Sequence, residues 1–224
     1  MTSFDLDSES VRALNAHLHS DTADSVTVTN PGGRHAVAVG AIDTHKVTVH
    51  GNVGYYCAGM NQKASITVQG HAGPGLAENM MSGTVRVTGN ASQYCAATAH
   101  GGLVIVEGDA SSRCGISMKG VDIVVRGNIG HMSAFMAQKG ALLVCGDAGD
   151  ALGDSIYEAR LYVRGSVASL GADCIEKEMR AEHLEQVTEL LRSAEISDLD
   201  PSSFKRYGSA RNLYHFKIDN ASAY

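Results

Sequence analysis

The feature that most constrains the fold of this 224-residue chain is a glycine that recurs at an unvarying interval. Neighbouring copies are 19 residues apart, and these anchor glycines are Gly51, Gly70, Gly89, Gly108, Gly127, Gly146 and Gly165. A repeat of this length is one supersecondary unit, which cannot bury its apolar face alone and must stack on its neighbours. The sequence therefore predicts a solenoid.

A short apolar strand precedes each anchor glycine. The residues four and two positions before it are Val47/Val49, Ile66/Val68, Val85/Val87, Val104/Val106, Ile123/Val125, Leu142/Val144 and Leu161/Val163. Residues two apart on a strand point to the same face, so we expect each pair to face one interior. Leucine-rich and helical repeats have other patterns, and a left-handed β-helix needs a six-residue subperiod. The prediction is an all-β solenoid, a right-handed parallel β-helix of about seven 19-residue coils.

The residue after each anchor glycine is polar in every copy. These residues are Asn52, His71, Asn90, Asp109, Asn128, Asp147 and Ser166. Asn and Asp tolerate a left-handed backbone and hydrogen-bond their own backbone, and Gly reaches positive φ without steric cost. With 25 Gly against 3 Pro in the chain, we expect a tight turn with a left-handed backbone at each repeat.

Both ends of a solenoid need a cap, because an open coil exposes unpaired strand edges. Residues 8–19 are predicted to form a short amphipathic helix, and residues 176–194 a second helix that covers the C-terminal end of the stack. The expected organisation has three parts. Residues 1–40 hold the N-terminal cap helix and irregular first coils, 41–172 the β-helix, and 173–224 the C-terminal capping helix and an extended tail.

Composition excludes several classes of protein. Hydrophobic residues make up 44% and charged residues 19%, which is typical of neither a disordered nor a membrane-embedded chain. A net charge of −6 argues against a nucleic-acid partner, and no apolar run approaches the roughly 20 residues that span a bilayer. No secretory signal is visible, and five cysteines without a CxxC pair do not suggest a disulfide framework. We expect a cytoplasmic protein.

Three cysteines, Cys57, Cys95 and Cys114, each follow an anchor glycine by six residues and share one column of the stack. They could hold a metal or an iron–sulfur cluster. The same position holds Leu76, Ser133, Leu152 and Gly171 in other coils, so we favour a buried structural column. Ten histidines are present, but those within the repeats fall at different coil positions. We therefore assign no metal ligands.

One glycine-rich loop differs from the other turns. It contains Gly70, Gly73 and Gly75, followed by Glu78 and Asn79. Glycines in a strand context mark close approach of the backbone to a ligand or another chain, so the loop is a candidate channel or partner-contact loop. An ordinary turn with an additional glycine explains it equally well. No nucleophile–base set, paired carboxylates or GxxxxGK[ST] motif is found, so no catalytic or cofactor-binding residue is assigned.

Longer segments resemble a known family. The stretches GNVGYYCAGM, GHAGPGLAENMMSG and GNIGHMSAFMAQKG resemble the GXGXG domain of the glutamate synthase large subunit, a right-handed β-helix. The tail FKRYGSARNLYHFKIDNASAY is similar to the stand-alone form of this domain, which is a separate β-helical subunit in the N-methylglutamate synthase family. Gly73–Gly75 reads Gly-Pro-Gly where many members have a Gly-Gln segment.

The resemblance implies a non-catalytic subunit of a methylamine–glutamate N-methyltransferase. That enzyme converts methylamine and L-glutamate into N-methyl-L-glutamate and ammonia. The β-helix would link an amidotransferase-like subunit to a synthase-like subunit and help to form the passage for ammonia or amine. FMN and an iron–sulfur cluster would belong to the synthase-like partner, and no cofactor to this chain.

The same resemblance makes the tail a candidate partner-contact segment, with Arg211, Asn212, Tyr214, Asp219 and Asn220 as the contact residues. Two other interpretations remain open. One is a scaffold like the related β-helical subunit of formylmethanofuran dehydrogenase. The other is a self-sufficient β-helix enzyme, such as a polysaccharide lyase.

Overall fold

The computed structural model describes residues 2–20 and 22–213, which form a right-handed parallel β-helix as predicted. The strands are β1 (Thr2–Asp5), β2 (Ser25–Thr29), β3 (Lys46–His50), β4 (Ser65–Gln69), β5 (Thr84–Val87), β6 (Leu103–Val106), β7 (Lys119–Val125), β8 (Lys139–Val144), β9 (Arg160–Val163), β10 (Cys174–Lys177) and β11 (Lys205–Ser209). Two helices, α1 (Val11–Leu18) and α2 (Ala181–Ser193), and a 3-10 turn (Pro201–Ser203) complete the fold.

Strands β1 to β9 pair in parallel in chain order, and from β3 onwards the register advances by one 19-residue repeat per strand. The pairs predicted to face the interior are at most 1% exposed in every coil. They form one continuous apolar core together with Leu14 and Leu18 of α1. This core is what stacking the coils buries.

The stack begins earlier than the repeat alone indicates. Residues 25–29, expected among irregular coils, form the regular strand β2, which pairs with β3 in register. Strand β1 precedes α1 and pairs in parallel with β2. This strand was not predicted, because no anchor glycine follows it. Helix α1 occupies most of the predicted range, and Ser10 caps it by accepting a hydrogen bond from the Ala13 amide.

Helix α2 was expected to cover the C-terminal end of the stack, but it lies along the flank instead. Its side chains Val187, Leu190 and Leu191 pack on residues that point out of the coil interior. Those outward residues are Ile105, Val124, Leu143 and Tyr162, and each lies between the two members of an inward pair. Strands apolar on both faces need cover on both, and α2 supplies the outer layer.

The C-terminal edge is covered by antiparallel strands rather than by a helix. Strand β11 pairs with β9, and β10 pairs with β11. Phe204, just before β11, is 3% exposed and packs in the cluster beneath α2. The predicted extended tail therefore completes the sheet over residues 205–209.

The wall opposite the strands has an unexpected backbone. Residues five, seven and nine positions after most anchor glycines have φ near +55°, and in the first coil these are Tyr56, Ala58 and Met60. Their amides bond alternately to the two neighbouring coils: Ala58 donates to the Val37 carbonyl and Met60 to the Glu78 carbonyl, both at 2.9 Å. We call this the turn wall, and β3 to β9 the strand wall.

The corner after each strand is built differently from the prediction. Of the seven anchor glycines only Gly51 has a positive φ, and the polar residues that follow do not bond their own backbone. Instead the first six of these side chains each accept a hydrogen bond from the next coil, as when the His71 amide donates to Asn52 Oδ1 at 2.8 Å and the Asp109 amide to Asn90 Oδ1 at 3.0 Å. This corner ladder runs from Asn52 to Ser166.

The corner ladder explains why the anchors are glycine. A Cβ added at Gly108 would collide with Asn90 Oδ1, and one added at Gly89 would lie 2.6 Å from His71 Nδ1. At the six later anchors, from Gly70 to Gly165, the glycine is needed for space and not for a left-handed backbone. Among the described residues, neither helix is long and apolar enough to cross a bilayer.

Candidate partner-contact surfaces

The predicted contact loop approaches the preceding coil closely. A Cβ on Gly70 would lie 2.7 Å from the Gly51 carbonyl carbon, and a Cβ on Gly73 would lie 2.6 Å from that of Gly54. Gly75 has φ of +73°, and a Cβ there would lie 2.9 Å from a Glu78 carboxylate oxygen. The close backbone approach that these glycines permit is therefore made within the chain.

Glu78 and Asn79 lie on the turn wall beside two tyrosines. Asn79 Nδ2 donates to the Tyr56 hydroxyl at 3.4 Å, and Asn79 Oδ1 accepts from Thr98 Oγ1 at 2.6 Å. The Glu78 carboxylate has no hydrogen bond or ion pair within the described part of the chain, and burial raises its pKa. Asn79 is thus held in place by both neighbouring coils, while Glu78 is available to a partner.

Large apolar side chains are exposed around this loop. Tyr55, Met60 and Met81 are 49%, 46% and 44% exposed, and the rings of Tyr55 and Tyr56 are 5.5 Å apart. Met60 and Met81 lie on neighbouring coils, since the Met81 amide donates to the Asn61 carbonyl at 2.8 Å. We call Tyr55, Tyr56, Met60 and Met81 the Tyr–Met patch. Tyrosine and methionine are enriched in protein interfaces, and flexible methionine suits a surface that must fit a partner.

A second surface lies at the C-terminal end, where α2 and strands β7 to β11 enclose an open groove of about 880 Å³. Charged side chains line this polar groove, and several are paired with each other: Arg211 with Glu158 at 3.0 Å, and Arg180 with Glu178 at 3.2 Å. Glu176 is paired with Lys205 at 3.4 Å.

Four cations of the polar groove, namely Lys139 and the three described next, have no carboxylate partner among the described residues. Arg160 donates to Gln186 Oε1 at 3.0 Å, Lys177 to the Ser209 carbonyl at 2.6 Å and Arg206 to the Glu178 carbonyl at 3.2 Å. Burial lowers the pKa of Lys177 and of Arg206, and neighbouring arginines lower both further. Unpaired cations that repel each other favour a partner carrying carboxylates.

The predicted contact tail is only partly placed. Arg211 lines the polar groove through its ion pair with Glu158, and the Asn212 amide donates to Asp173 Oδ1 at 2.9 Å. Tyr214, Asp219 and Asn220 lie outside the described residues.

The cysteine column is interior. Cys57, Cys95 and Cys114 are fully buried, and burial raises the pKa of Cys57 to about 12. The pKa of Cys114 is also raised, first by its hydrogen bond with Cys95 and then by burial. Thiols of this kind stay protonated at neutral pH, and the thiolate is the form that binds metals or attacks substrates. The geometry favours the structural interpretation.

One cluster was not predicted from the sequence. His17, Asp24 and His45 come from three separate segments, and their ligand-type atoms all lie within 4.8 Å of one another. The available signal was positional, because Asp24 and His45 each immediately precede a strand and those two strands pair in register.

Comparison with known proteins adds one relative. No family model matches the sequence. Protein GlxC of Rhizobium meliloti (strain 1021) is 61% identical over 228 residues, and the alignment covers 100% of both chains. With this identity over the whole length, the chain belongs to the same protein family as Protein GlxC.

Proposed function

We propose that the chain is a non-catalytic structural subunit of a cytoplasmic glutamate-synthase-like complex, specifically N-methylglutamate synthase. It links an amidotransferase-like subunit to a synthase-like subunit that carries FMN and an iron–sulfur cluster, and it helps to form the passage for ammonia or amine. The sequence resemblance motivates this proposal, and membership of the GlxC family fits it.

The observation that carries the proposal is the pair of unlike surfaces on one rigid rod. The Tyr–Met patch lies on the coils of β3 and β4, and the polar groove extends to β9 and beyond. With neighbouring strands about 4.8 Å apart, β4 and β9 are separated by about 24 Å. Strand pairing, the corner ladder and the turn wall join each coil to the next, so this separation is constant.

The chemistry of the two surfaces suits binding. Glu78 is the carboxylate beside the Tyr–Met patch, and no second acid or base is hydrogen-bonded to it among the described residues. General acid–base and nucleophilic catalysis both need a reacting group within hydrogen-bond reach of a partner group. The Tyr–Met patch and the polar groove with its unpaired cations instead suit two different protein partners.

The first test is a tagged pull-down from native cells with mass spectrometry and a flavin absorbance spectrum of the eluate. We expect an amidotransferase-like chain and a flavin-bearing synthase-like chain to co-purify. The eluate should convert methylamine and L-glutamate into N-methyl-L-glutamate and ammonia, whereas the isolated chain should not. A solitary, colourless protein, or turnover by the chain alone, would contradict the proposal.

Two double variants test the assignment of surfaces. Met60→Glu with Met81→Glu places charge in the Tyr–Met patch, and Lys139→Glu with Arg180→Glu reverses charge at the polar groove. Each should lose one partner and retain the other. Arg12→Glu, at an exposed position of α1, is the control that should retain both. Loss of the same partner from both double variants would show that the two surfaces do not bind separate subunits.

A further inference from the structure

The N-terminal cap brings three metal-ligand side chains into contact. His17 lies in the last turn of α1, Asp24 immediately precedes β2 and His45 immediately precedes β3. Because Ser25 pairs with Lys46, Asp24 and His45 are adjacent across the strand pair. The fold of the first coils therefore sets this juxtaposition, and α1 adds the third group.

His45 departs from the pattern of the repeat. The equivalent position, six residues before each later anchor glycine, holds Ala64, Gly83, Gly102, Val121, Gly140 and Ala159. The His45 side chain is completely buried, and burial of an imidazole is costly unless its nitrogens have partners. Nδ1 lies 2.9 Å from Asp24 Oδ1, whereas Nε2 has no hydrogen-bond partner among the described residues.

The spacing of the donor atoms suits a metal ion. His17 Nε2 lies 3.1 Å from Asp24 Oδ2 and 3.3 Å from Oδ1, close to the 2.9 Å between His45 Nδ1 and Oδ1. A tetrahedral zinc site with ligand bonds of about 2.0–2.1 Å places its donor atoms about 3.3 Å apart. The His–Asp distances are close to this value, and all three donor atoms lie within 4.8 Å of one another.

A hydrogen bond already orients the Asp24 carboxylate. Thr2 Oγ1 donates to Asp24 Oδ2 at 2.6 Å, which orients the group.

We propose that His17 Nε2, the Asp24 carboxylate and His45 Nδ1 form a binding site for a divalent transition-metal ion of the zinc type. Two imidazoles and a carboxylate are a common zinc donor set. The side chains of His17 and Asp24 are 30% and 22% exposed, so water can enter and supply the fourth ligand. The ion would join α1 to strands β2 and β3 and close the N-terminal end of the stack.

The site has one weakness that sets its expected affinity. Metal-binding histidines usually donate their second ring N–H to an acceptor, and loss of such a partner costs about 10–100-fold in affinity. His45 Nε2 has no such acceptor among the described residues. We therefore expect binding weaker than in a fully supported zinc site.

The test uses the full-length chain without a polyhistidine tag, stripped of metal with a chelator. Zn²⁺ is titrated by calorimetry, and Co²⁺ is titrated by its visible absorption, which is intense only for four- or five-coordinate ions. We expect one equivalent to bind, an intense cobalt spectrum, and a rise of the melting temperature with Zn²⁺, because the ion binds the folded state.

His17→Gln and His19→Gln form the matched pair, since they are the same substitution two residues apart. His19 Nε2 contacts the Val39 carbonyl at 3.0 Å and is not part of the cluster. His17→Gln should weaken Zn²⁺ binding by more than the roughly 10–100-fold cost of losing an outer partner. It should also abolish the melting shift, and His19→Gln should retain both.

Asp24→Asn is the second variant, checked by circular dichroism together with His17→Gln for retention of the fold. A simple hydrogen-bonded His–Asp–His triad makes the opposite prediction, in which both variants destabilise the chain equally with and without Zn²⁺. That result, an octahedral cobalt spectrum, or equal affinities of His17→Gln and His19→Gln would overturn the proposal.

Discussion

The strand wall and the turn wall of each coil are both joined to their neighbours by backbone hydrogen bonds, but they differ in side chains and in backbone conformation. The strand wall buries large aliphatic residues such as Ile123 and Leu142, on an extended backbone. The turn wall buries mainly small residues such as Ala58 and Ala96, with a larger one such as Leu76 in some coils, on a backbone that alternates into the left-handed region.

This difference indicates which wall stabilises the fold. A left-handed conformation costs a non-glycine residue about 1–2 kcal/mol, and a hydrogen bond contributes about 0.5–1.5 kcal/mol net. These contributions nearly cancel in the turn wall. Burial of an aliphatic side chain contributes about 1.5–3 kcal/mol, so the strand wall supplies most of the net stability. The turn wall is then free to carry exposed residues such as Tyr55 and Met60.

The largest effect is expected from truncation in the strand wall. Leu142→Ala, at a completely buried position, should lower the free energy of unfolding by about 2–5 kcal/mol because it leaves a cavity. Met60→Ala, at a 46% exposed position of the turn wall, should change it by no more than about 0.5 kcal/mol. Urea unfolding measures both, and equal losses would refute the proposed division between the walls.

The next effect concerns the corner that joins the two walls. Gly108→Ala should cost about 1–3 kcal/mol, because the added Cβ meets Asn90 Oδ1 and lies 2.9 Å from the Gly89 carbonyl oxygen. Gly33→Ala is the control for backbone strain alone. Its φ is +74° but no atom lies within 4 Å of the added Cβ, so it should cost only about 1–2 kcal/mol.

A double variant separates the two causes at Gly108. If the clash with the corner ladder dominates, Asn90→Ala with Gly108→Ala should cost less than the sum of the single variants. Additive costs in urea unfolding would mean that the close approach to the Gly89 backbone, and not the ladder, requires glycine at this position.

The same alanine-to-glycine substitution should change stability in opposite directions in the two walls, and these effects are smaller. Ala151 has φ of +56°, so Ala151→Gly should relieve strain and stabilise the chain by roughly 0.5–1 kcal/mol. Ala141 is buried in β8, and Ala141→Gly should destabilise by about 1 kcal/mol or more through lost burial and added freedom of the unfolded chain. Two values of the same sign in urea unfolding would contradict the assigned backbone conformations.

The smallest effects concern two carboxylates. Burial raises the pKa of Asp122 in the strand wall, whereas hydrogen bonds from the Ser166 amide and hydroxyl lower that of Asp147 in the corner ladder. The penalty from Asp122 therefore appears as pH rises above 3.8 and is complete above its folded pKa. The stabilisation from Asp147 is present above 3.8 and is lost as pH falls through its lowered folded pKa.

Two substitutions follow from these signs. At about pH 7, Asp122→Asn should stabilise the chain slightly, since an amide oxygen can still accept from the Ala141 amide, and Asp147→Asn should destabilise it slightly. Both differences should shrink in strong acid. Urea midpoints measured across the acid range check them, and a pH-independent difference would exclude ionisation as the cause.

The sequence predicted those parts of the fold that depend on the length of the repeat. Spacing of the anchor glycines and aliphatic pairs such as Val104/Val106 is a property of one repeated segment, and it predicted the solenoid and its interior. The helical spacing of apolar residues in segments 8–19 and 176–194 predicted both helices. The reason for the glycines was predicted incorrectly, because the steric conflict involves a side chain from the preceding coil, as between Gly108 and Asn90. The glycine-rich loop was identified, yet its exposed neighbours Tyr55 and Met81 were not.

By itself the sequence determined the repeat length, the inward residues of each strand and the existence of α1 and α2, since each follows from local periodicity. Only the tertiary structure decided the left-handed turn wall, the position of α2 on the flank and the meeting of His17, Asp24 and His45. Those features depend on which residues of different coils become neighbours. That alignment arises when the coils stack, because a hydrogen bond or contact between coils joins residues about 20 or more positions apart.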